Sequence, residues 1–214
     1  MSSPGASVRI DVWSDYVCPF CYLELPVLER LQAELGPELE VHWRAFELRP
    51  APVPTLEPGG EYLRTTWVRA VYPLAEQRGL TLRLPPVQPR SRLALEAAEF
   101  AKEAGAFPEF HLGVFRAFFE EGQDIGDTRV LGDLAEASGM DRGALLRALK
   151  LGSYTSRVMF DQEAAHRLGI GGVPALRIVG TGGATVQVSG ALSVEQVRMA
   201  ISRVRPDDSQ PMAP

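Results

Sequence analysis

The sequence predicts an α/β fold in which a β-α-β half and an α-β-β-α half are separated by an all-helical insertion. Three observations predict it. The first fifty residues pass from alternating apolar positions to a helical period and back to alternation. A proline-rich passage, Pro50 to Gly60, then opens a stretch of about a hundred residues that is mostly helical in pattern. Alternation returns only after Gly171-Gly172-Val173-Pro174. The expected domains are therefore 8–50 with 169–205, a helical insertion over 51–168 whose last helix bridges back, and a flexible tail over 206–214. Composition narrows the function classes. The 214 residues carry a net charge of −5, with 45% apolar and 23% charged residues. Those values exclude bulk disorder. The mild acidity argues against a nucleic-acid surface, which needs clustered positive charge. No apolar run approaches the roughly 18–20 residues of a membrane span. Met1 to Ser7 has neither the basic nor the apolar region of a secretory signal, so a cytoplasmic protein is expected.

Each element has its own signal. Val8, Ile10 and Val12 alternate with Arg9, Asp11 and Trp13, which reads as a strand. After Ser14-Asp15-Tyr16-Val17, a helix is expected with Cys18 at the N-cap and Pro19 in the first helical position, where its missing N–H is harmless. Leu25, Leu28, Leu31 and Leu35 share one face of it, Pro26 is expected to kink it, and Gly36-Pro37 stops it. Glu40 to Leu48 is strand-like, with Val41, Trp43 and Ala45 on one side.

In the insertion, Ser91 to Ala104 is a helix ended by Gly105, and Pro108 opens another that runs to about Glu121. Asp127 and Asp141 are N-cap candidates for two short helices, and Ser153 for a longer one reaching Leu168. Ala175 to Val179 and Ala184 to Ser189 flank a glycine-rich loop and read as a hairpin. The last helix starts at Ser193, where Ser193 and Gln196 form a capping box and Leu192 can staple against Val197. Without the helical block the order is β-α-β-α-β-β-α, that of the thioredoxin fold.

The chemistry is concentrated in two cysteines, Cys18 and Cys21, within one Cys18-Pro19-Phe20-Cys21. A dithiol–disulfide couple needs one thiol that ionises near neutral pH and a second close enough to displace the product. A helix N-terminus stabilises a thiolate, and C-x-x-C cysteines so placed have pKa values of roughly 3.5–7.5. Residues three apart on a helix lie side by side. Cys18 is therefore expected to be the exposed nucleophile and Cys21 the buried resolving thiol, with Pro19 and Phe20 tuning the pair. Zinc is disfavoured, because no further cysteine exists and His42, His111 and His166 fall in different elements. Inert core thiols and a structural bridge are the remaining alternatives. Val173-Pro174 stands directly before the hairpin. A cis peptide there would set the Val173 N–H and C=O opposite the C-x-x-C for an extended substrate, but cis occurs in only about 5–6% of X–Pro bonds, so the residues alone favour a trans proline at the start of a strand.

Four stretches together resemble the DsbA-like thioredoxin-fold family, and more closely its cytoplasmic FrnE-like branch. They are Asp15-Tyr16-Val17-Cys18-Pro19-Phe20-Cys21-Tyr22, Val41-His42-Trp43-Arg44-Ala45-Phe46-Glu47-Leu48, Glu121-Gly122-Gln123-Asp124-Ile125-Gly126-Asp127 and Gly169-Ile170-Gly171-Gly172-Val173-Pro174. The similarity runs over about residues 8–204. It implies a cis-Pro174 beside the dithiol, substrate binding at Val173 and Pro174, and thiol–disulfide oxidoreductase activity on polypeptides, with no cofactor beyond the redox pair. The Pro-Phe middle pair differs from the Pro-Trp frequent in the branch and the Pro-His of periplasmic enzymes, so neither pKa nor potential carries over. Some relatives have further C-terminal cysteines; this chain has none.

In a cytosol poised at roughly −220 to −320 mV, a couple as oxidising as about −120 mV rests reduced, so the expected direction is reduction or isomerisation. Glutathione is a candidate reductant. Two rivals are a glutathione-dependent isomerase or transferase of the same fold, whose members typically have Ser in place of Cys18, and a peptide-binding chaperone with incidental thiols. Several other residues have ordinary expected roles. Phe107, Phe110, Phe115, Phe118 and Phe119 are expected as helical core, with an apolar wall for unfolded substrate as the alternative. Asp15 is expected as an exposed loop carboxylate, with a proton acceptor near Cys21 as the alternative, and His166 as a solvated helix position. The Gly169-x-Gly171-Gly172 run lacks the Lys-Ser/Thr of a phosphate loop.

Overall fold

The computed structural model describes residues 7–205; the expected tail at 206–214 lies outside them. The chain forms β1 (Val8–Ser14), α1 (Pro19–Leu35) and β2 (Leu39–Ala45), then α2 (Glu61–Thr66), a wider π-type turn (Trp67–Val71) and α3 (Tyr72–Gln77). It continues through α4 (Arg92–Ala104), α5 (Phe107–Phe119), α6 (Thr128–Ala137), α7 (Arg142–Leu151) and α8 (Thr155–Arg167). It closes with β3 (Ala175–Gly180), β4 (Thr185–Ser189) and α9 (Val194–Ser202). The strands form one sheet in the order β2-β1-β3-β4. β1 pairs parallel with β2, Val8 opposite Leu39, and antiparallel with β3, Val12 opposite Leu176. Among the described residues no helix is long and apolar enough to cross a membrane.

The alternation in β1 divides the core. Val8, Ile10 and Val12 pack on one face of the sheet with Val27, Leu28 and Leu31 of α1 and with Val197, Ala200 and Ile201 of α9. On the other face Trp13 packs with Phe46, Ala165, Ile170 and Ala175, beneath α8. The largest apolar cluster lies between the cysteine end of α1 and the helical block, where Tyr22 stacks on Phe115 at 5.1 Å between ring centroids. Phe110, Phe115, Phe118 and Phe119 are all buried there, each contributing about 1.5–3 kcal/mol.

Polar contacts anchor the block. The Glu47 N–H donates to Gln162 Oε1 at 2.6 Å and Gln162 Nε2 donates back to the Glu47 carbonyl at 3.3 Å. The Asp161 carboxylate accepts from the Ala45 N–H at 3.1 Å, and its carbonyl accepts from Trp13 Nε1 at 3.0 Å.

Three local readings are corrected. β2 ends at Ala45 instead of Leu48, because the Glu47 N–H is taken by Gln162 and the Leu48 N–H by Asp15. α8 starts at Thr155 rather than after a Ser153 cap, since Gly152, at φ 62°, closes α7 and leaves Ser153 in the turn. Residues 78–91 are irregular, interrupted by Gly79, Pro85, Pro86 and Pro89, so the insertion is less continuously helical than its pattern suggests. The Asp127, Asp141 and Ser193 caps are all formed.

Gly180 closes β3 directly under the chain that leaves α9. A methyl group on it would lie 1.9 Å from the Val204 carbonyl oxygen. Gly180→Ala is expected to lower stability by about 3 kcal/mol, at the upper end of overpacking costs, read as a reduced denaturation midpoint at unchanged slope.

Candidate active site

β1 delivers the chain to the face where α1 begins. Cys18 is the N-cap of α1, in extended conformation at φ −95° and ψ 112°, and Pro19 follows at the first helical position. The Cys21 N–H donates to the Cys18 carbonyl at 3.0 Å, so the two cysteines sit on the same first turn. Both are free thiols. The loop before β3 comes up opposite them, its Val173–Pro174 peptide cis. The Cys18 Sγ lies 3.5 Å from the Val173 carbonyl oxygen, to which the thiol donates. Residues 155 positions apart are thereby brought together.

The expectation of an exposed Cys18 is corrected: it is only 5% exposed, and Cys21 is fully buried. Access to Cys18 is from a cavity of about 280 Å³, walled by Val17 to Phe20, by Gly172 and Val173, and by the helical block. Pro174 is buried behind this wall. Burial pushes the Cys21 thiol well above its ordinary pKa, and the neighbouring Cys18 adds to the effect. The Asp15 backbone and the Ser14 hydroxyl act in the opposite direction.

The block side of the cavity was not read from sequence. Tyr62, Leu63, Thr66 and Trp67 line it, as do Phe119 and the segment Pro85 to Ser91. Arg49 and Arg90 also line it, and no carboxylate does. Arg90 Nη1 donates to the Arg49 carbonyl at 2.8 Å, and Arg49 Nη1 to the Pro54 carbonyl at 3.3 Å. Neither guanidinium is paired with a carboxylate among the described residues. The sequence signals for this wall were the proline density around it and the phenylalanine run that ends at Phe119.

Asp15 is a second correction. It is fully buried, not an exposed loop residue, and accepts from the Leu48 N–H at 2.7 Å and the Val17 N–H at 3.3 Å. Burial pushes its carboxyl up to about 6, against the Ser91 hydroxyl and those two N–H donors. The Ser91 hydroxyl lies beside the carboxyl without completing a well-formed hydrogen bond. Asp15 ties the cysteine loop to the exit of β2. His166 is exposed, as expected, and meets Phe46 edge-on at 6.1 Å. Phe119 both fills the core and walls the cavity. No group of three or more potential metal ligands is found among the described residues.

Comparison with known proteins agrees with this geometry. The DSBA-like thioredoxin domain family matches residues 9–202. The uncharacterized protein YwbO of Bacillus subtilis is 40% identical over 151 residues, covering 69% of this chain and 74% of that protein. A Streptomyces coelicolor structure described as a probable DsbA oxidoreductase is 26% identical, with a TM-score of 0.75 over 97% of this chain and 93% of that one. The cytosolic disulfide reductase DsbM of Pseudomonas aeruginosa, solved with glutathione, shares the fold at 17% identity, with a TM-score of 0.66 over 91% of this chain and 93% of that one. A 2-hydroxychromene-2-carboxylate isomerase shares it at 21% identity, with a TM-score of 0.72 over 91% and 95%. With the family model matching all but the ends of the chain, this protein belongs to the DSBA-like thioredoxin domain family.

Proposed function

We propose that the protein is a cytoplasmic thiol–disulfide oxidoreductase of the FrnE-like branch, acting on disulfides or dithiols of polypeptides through Cys18 and Cys21. One observation carries the reading. Cys18 is the sulfur at the cavity, facing the Val173 carbonyl, while Cys21 sits one turn behind it with no access of its own. Cys18 attacks a substrate disulfide and becomes joined to one substrate sulfur, while the other leaves as a thiolate. Cys21 then attacks Cys18, forms the intramolecular disulfide and releases the second thiolate. The net change is one substrate disulfide reduced to two thiols and one protein dithiol oxidised. The Val173 backbone pairs with an extended substrate segment, as in strand addition.

The cavity favours glutathione as the small thiol that reduces the pair again. Two arginines with no carboxylate beside them suit a tripeptide bearing two carboxylates. The DsbM neighbour was solved with that compound.

Trapping tests the proposal. Cys21→Ala removes the resolving thiol, so mixed disulfides through Cys18 are expected to accumulate in cells as protein-sized adducts on non-reducing gels. Adducts with glutathione alone would move the assignment to a glutathione-dependent transferase, and no adduct at all would overturn it.

A further inference from the structure

A second polar site lies behind the dithiol. His111 of α5 is 4% exposed and ringed by Tyr16, Trp43, Phe107 and Phe115, with centroids 4.4 to 5.3 Å away. Its Nδ1 shares a 2.7 Å hydrogen bond with the Tyr16 hydroxyl. Its Nε2 is buried without a partner. A buried, orphaned ring nitrogen is costly, and such groups are ordinarily met by ordered water. His111 lines a cavity of about 20 Å³, enough for one water molecule. Ser14, Tyr16, Arg44, Glu99 and Lys102 line the same cavity. Arg44 and Lys102 also wall two larger surface clefts, neither of them lined by Cys18, so the cavity borders solvent separately from the front cavity.

The resolving step gives this site a use. Cys21 must lose its proton before it attacks, and it is fully buried. Once substrate is joined to Cys18, the front cavity is filled. Ser14 lines the rear cavity, and its hydroxyl is near enough to the Cys21 thiol to favour its ionised form.

We propose that the rear cavity binds an ordered water held by His111 Nε2, and that Ser14 and this water carry the Cys21 proton to solvent during resolution. The proton leaves Cys21 for the Ser14 hydroxyl as that hydroxyl passes its own to the water. The water delivers a proton outward past the Glu99–Lys102 pair. The Cys21 thiolate then attacks Cys18 and the substrate thiolate departs. His111 acts as a positioning residue and stays neutral throughout, since burial and the nearby Lys102 hold its pKa down to about 3. The charged and titratable groups facing it are Tyr16 from the cysteine loop, Arg44 from β2, and Glu99 and Lys102 from α4.

This inference rests on the redox reading of the cysteine pair, and its test separates the two. The reduced full-length protein is mixed with an aryl disulfide, 5,5′-dithiobis(2-nitrobenzoate), whose coloured thiolate is released once when Cys18 attacks and again when Cys21 resolves. His111→Phe keeps the aromatic packing and removes the water's anchor. It is expected to slow the second release about tenfold at neutral pH and make it rise steeply with pH, while the first release is unchanged. Ser14→Ala is expected to act likewise, and His111→Gln, which keeps a polar atom, to recover part of the rate. Equal slowing of both releases, or an unaltered second release in either His111→Phe or Ser14→Ala, would overturn the relay. A wild-type protein that never gives the second release would overturn the redox pair and the relay together. Two normal releases without polypeptide adducts in the trapping experiment would overturn only the substrate assignment.

Discussion

Cys18→Ser is expected to abolish disulfide exchange while leaving the fold in place. A hydroxyl does not ionise near neutral pH even at a helix N-terminus, and oxygen cannot take the place of sulfur in a disulfide, so neither half-reaction can begin. The structure makes the substitution mild in every other respect. The side chain is small, and the Val173 carbonyl that accepts from the thiol is in place to accept from a serine hydroxyl. Thermal stability should therefore move by no more than about 1 kcal/mol. Reduction of insulin by dithiothreitol, followed by turbidity, is expected to proceed at the uncatalysed rate with this variant. Catalysis retained by Cys18→Ser would place the chemistry elsewhere in the molecule. Cys21→Ala differs in kind, since it keeps the first attack and loses only the release.

Arg78→Ala is expected to be the most destabilising single truncation outside the aromatic core. Glu24 lies on α1, one turn beyond Cys21, and its carboxylate is fully buried. It accepts from the Leu192 N–H at 2.8 Å and pairs with Arg78 at 3.4 Å. Arg78, at the end of α3, also donates to the Leu192 carbonyl at 2.6 Å and to the Leu23 carbonyl within α1. One guanidinium thus joins the cysteine helix, the helical block and the approach to α9. Removing one partner of such a pair strands the other, at a cost of about 3–5 kcal/mol.

The pH dependence identifies the cause. Burial pushes the Glu24 carboxyl up to about 7, against the Leu192 N–H and Arg78, from an ordinary value of 4.5. Between those values the folded protein binds more protons than the unfolded chain, so stability falls as pH rises through the interval. The full difference corresponds to about 3 kcal/mol. Denaturant unfolding from mildly acidic to mildly alkaline pH is expected to show this decline in the parent, a steeper one in Arg78→Ala, and a flatter one in Glu24→Gln. A flat profile in the parent would mean that Glu24 stays charged at no cost in the fold.

What could be read in the sequence was local. Cys18 before Pro19, Asp127 and Asp141 before their helices, and the Ser193–Gln196 box are signals contained within a single turn, and all of them appear as helix starts. The first strand followed from alternation because Val8, Ile10 and Val12 all face α1 and α9, a period of two that a helix does not share. The cavity could not be read in the same way. Its wall draws single residues from Leu48, Tyr62, Arg90, Phe119 and Gly172, none of which shares a period or motif with the others. Asp15 was misread for the same reason. A carboxylate in a short loop is ordinarily solvated, and the Leu48 N–H that helps offset its burial lies 33 positions away, beyond any local reading. Ser14 and His111 carried no signal of their own, since each becomes notable only through what faces it.

The reciprocal hydrogen bonds between Glu47 and Gln162 have a further consequence. They join residues 115 positions apart, so the chain enters and leaves the helical block at a single point on the sheet-bearing half. As a polymer, the block is a closed ring whose circumference hardly matters: doubling the length of a flexible loop costs only about 0.6 kcal/mol. Helices that pack on α4 and α5 and line no part of the cavity, such as α6 and α7, can therefore vary at their solvent-facing ends among relatives while the dithiol stays in place. The side chains from α2 and from Pro85 to Ser91 have no such freedom, because they are the ceiling over Cys18. Variation among relatives is expected to be architectural in the first region and chemical in the second, with substrate choice written on the ceiling.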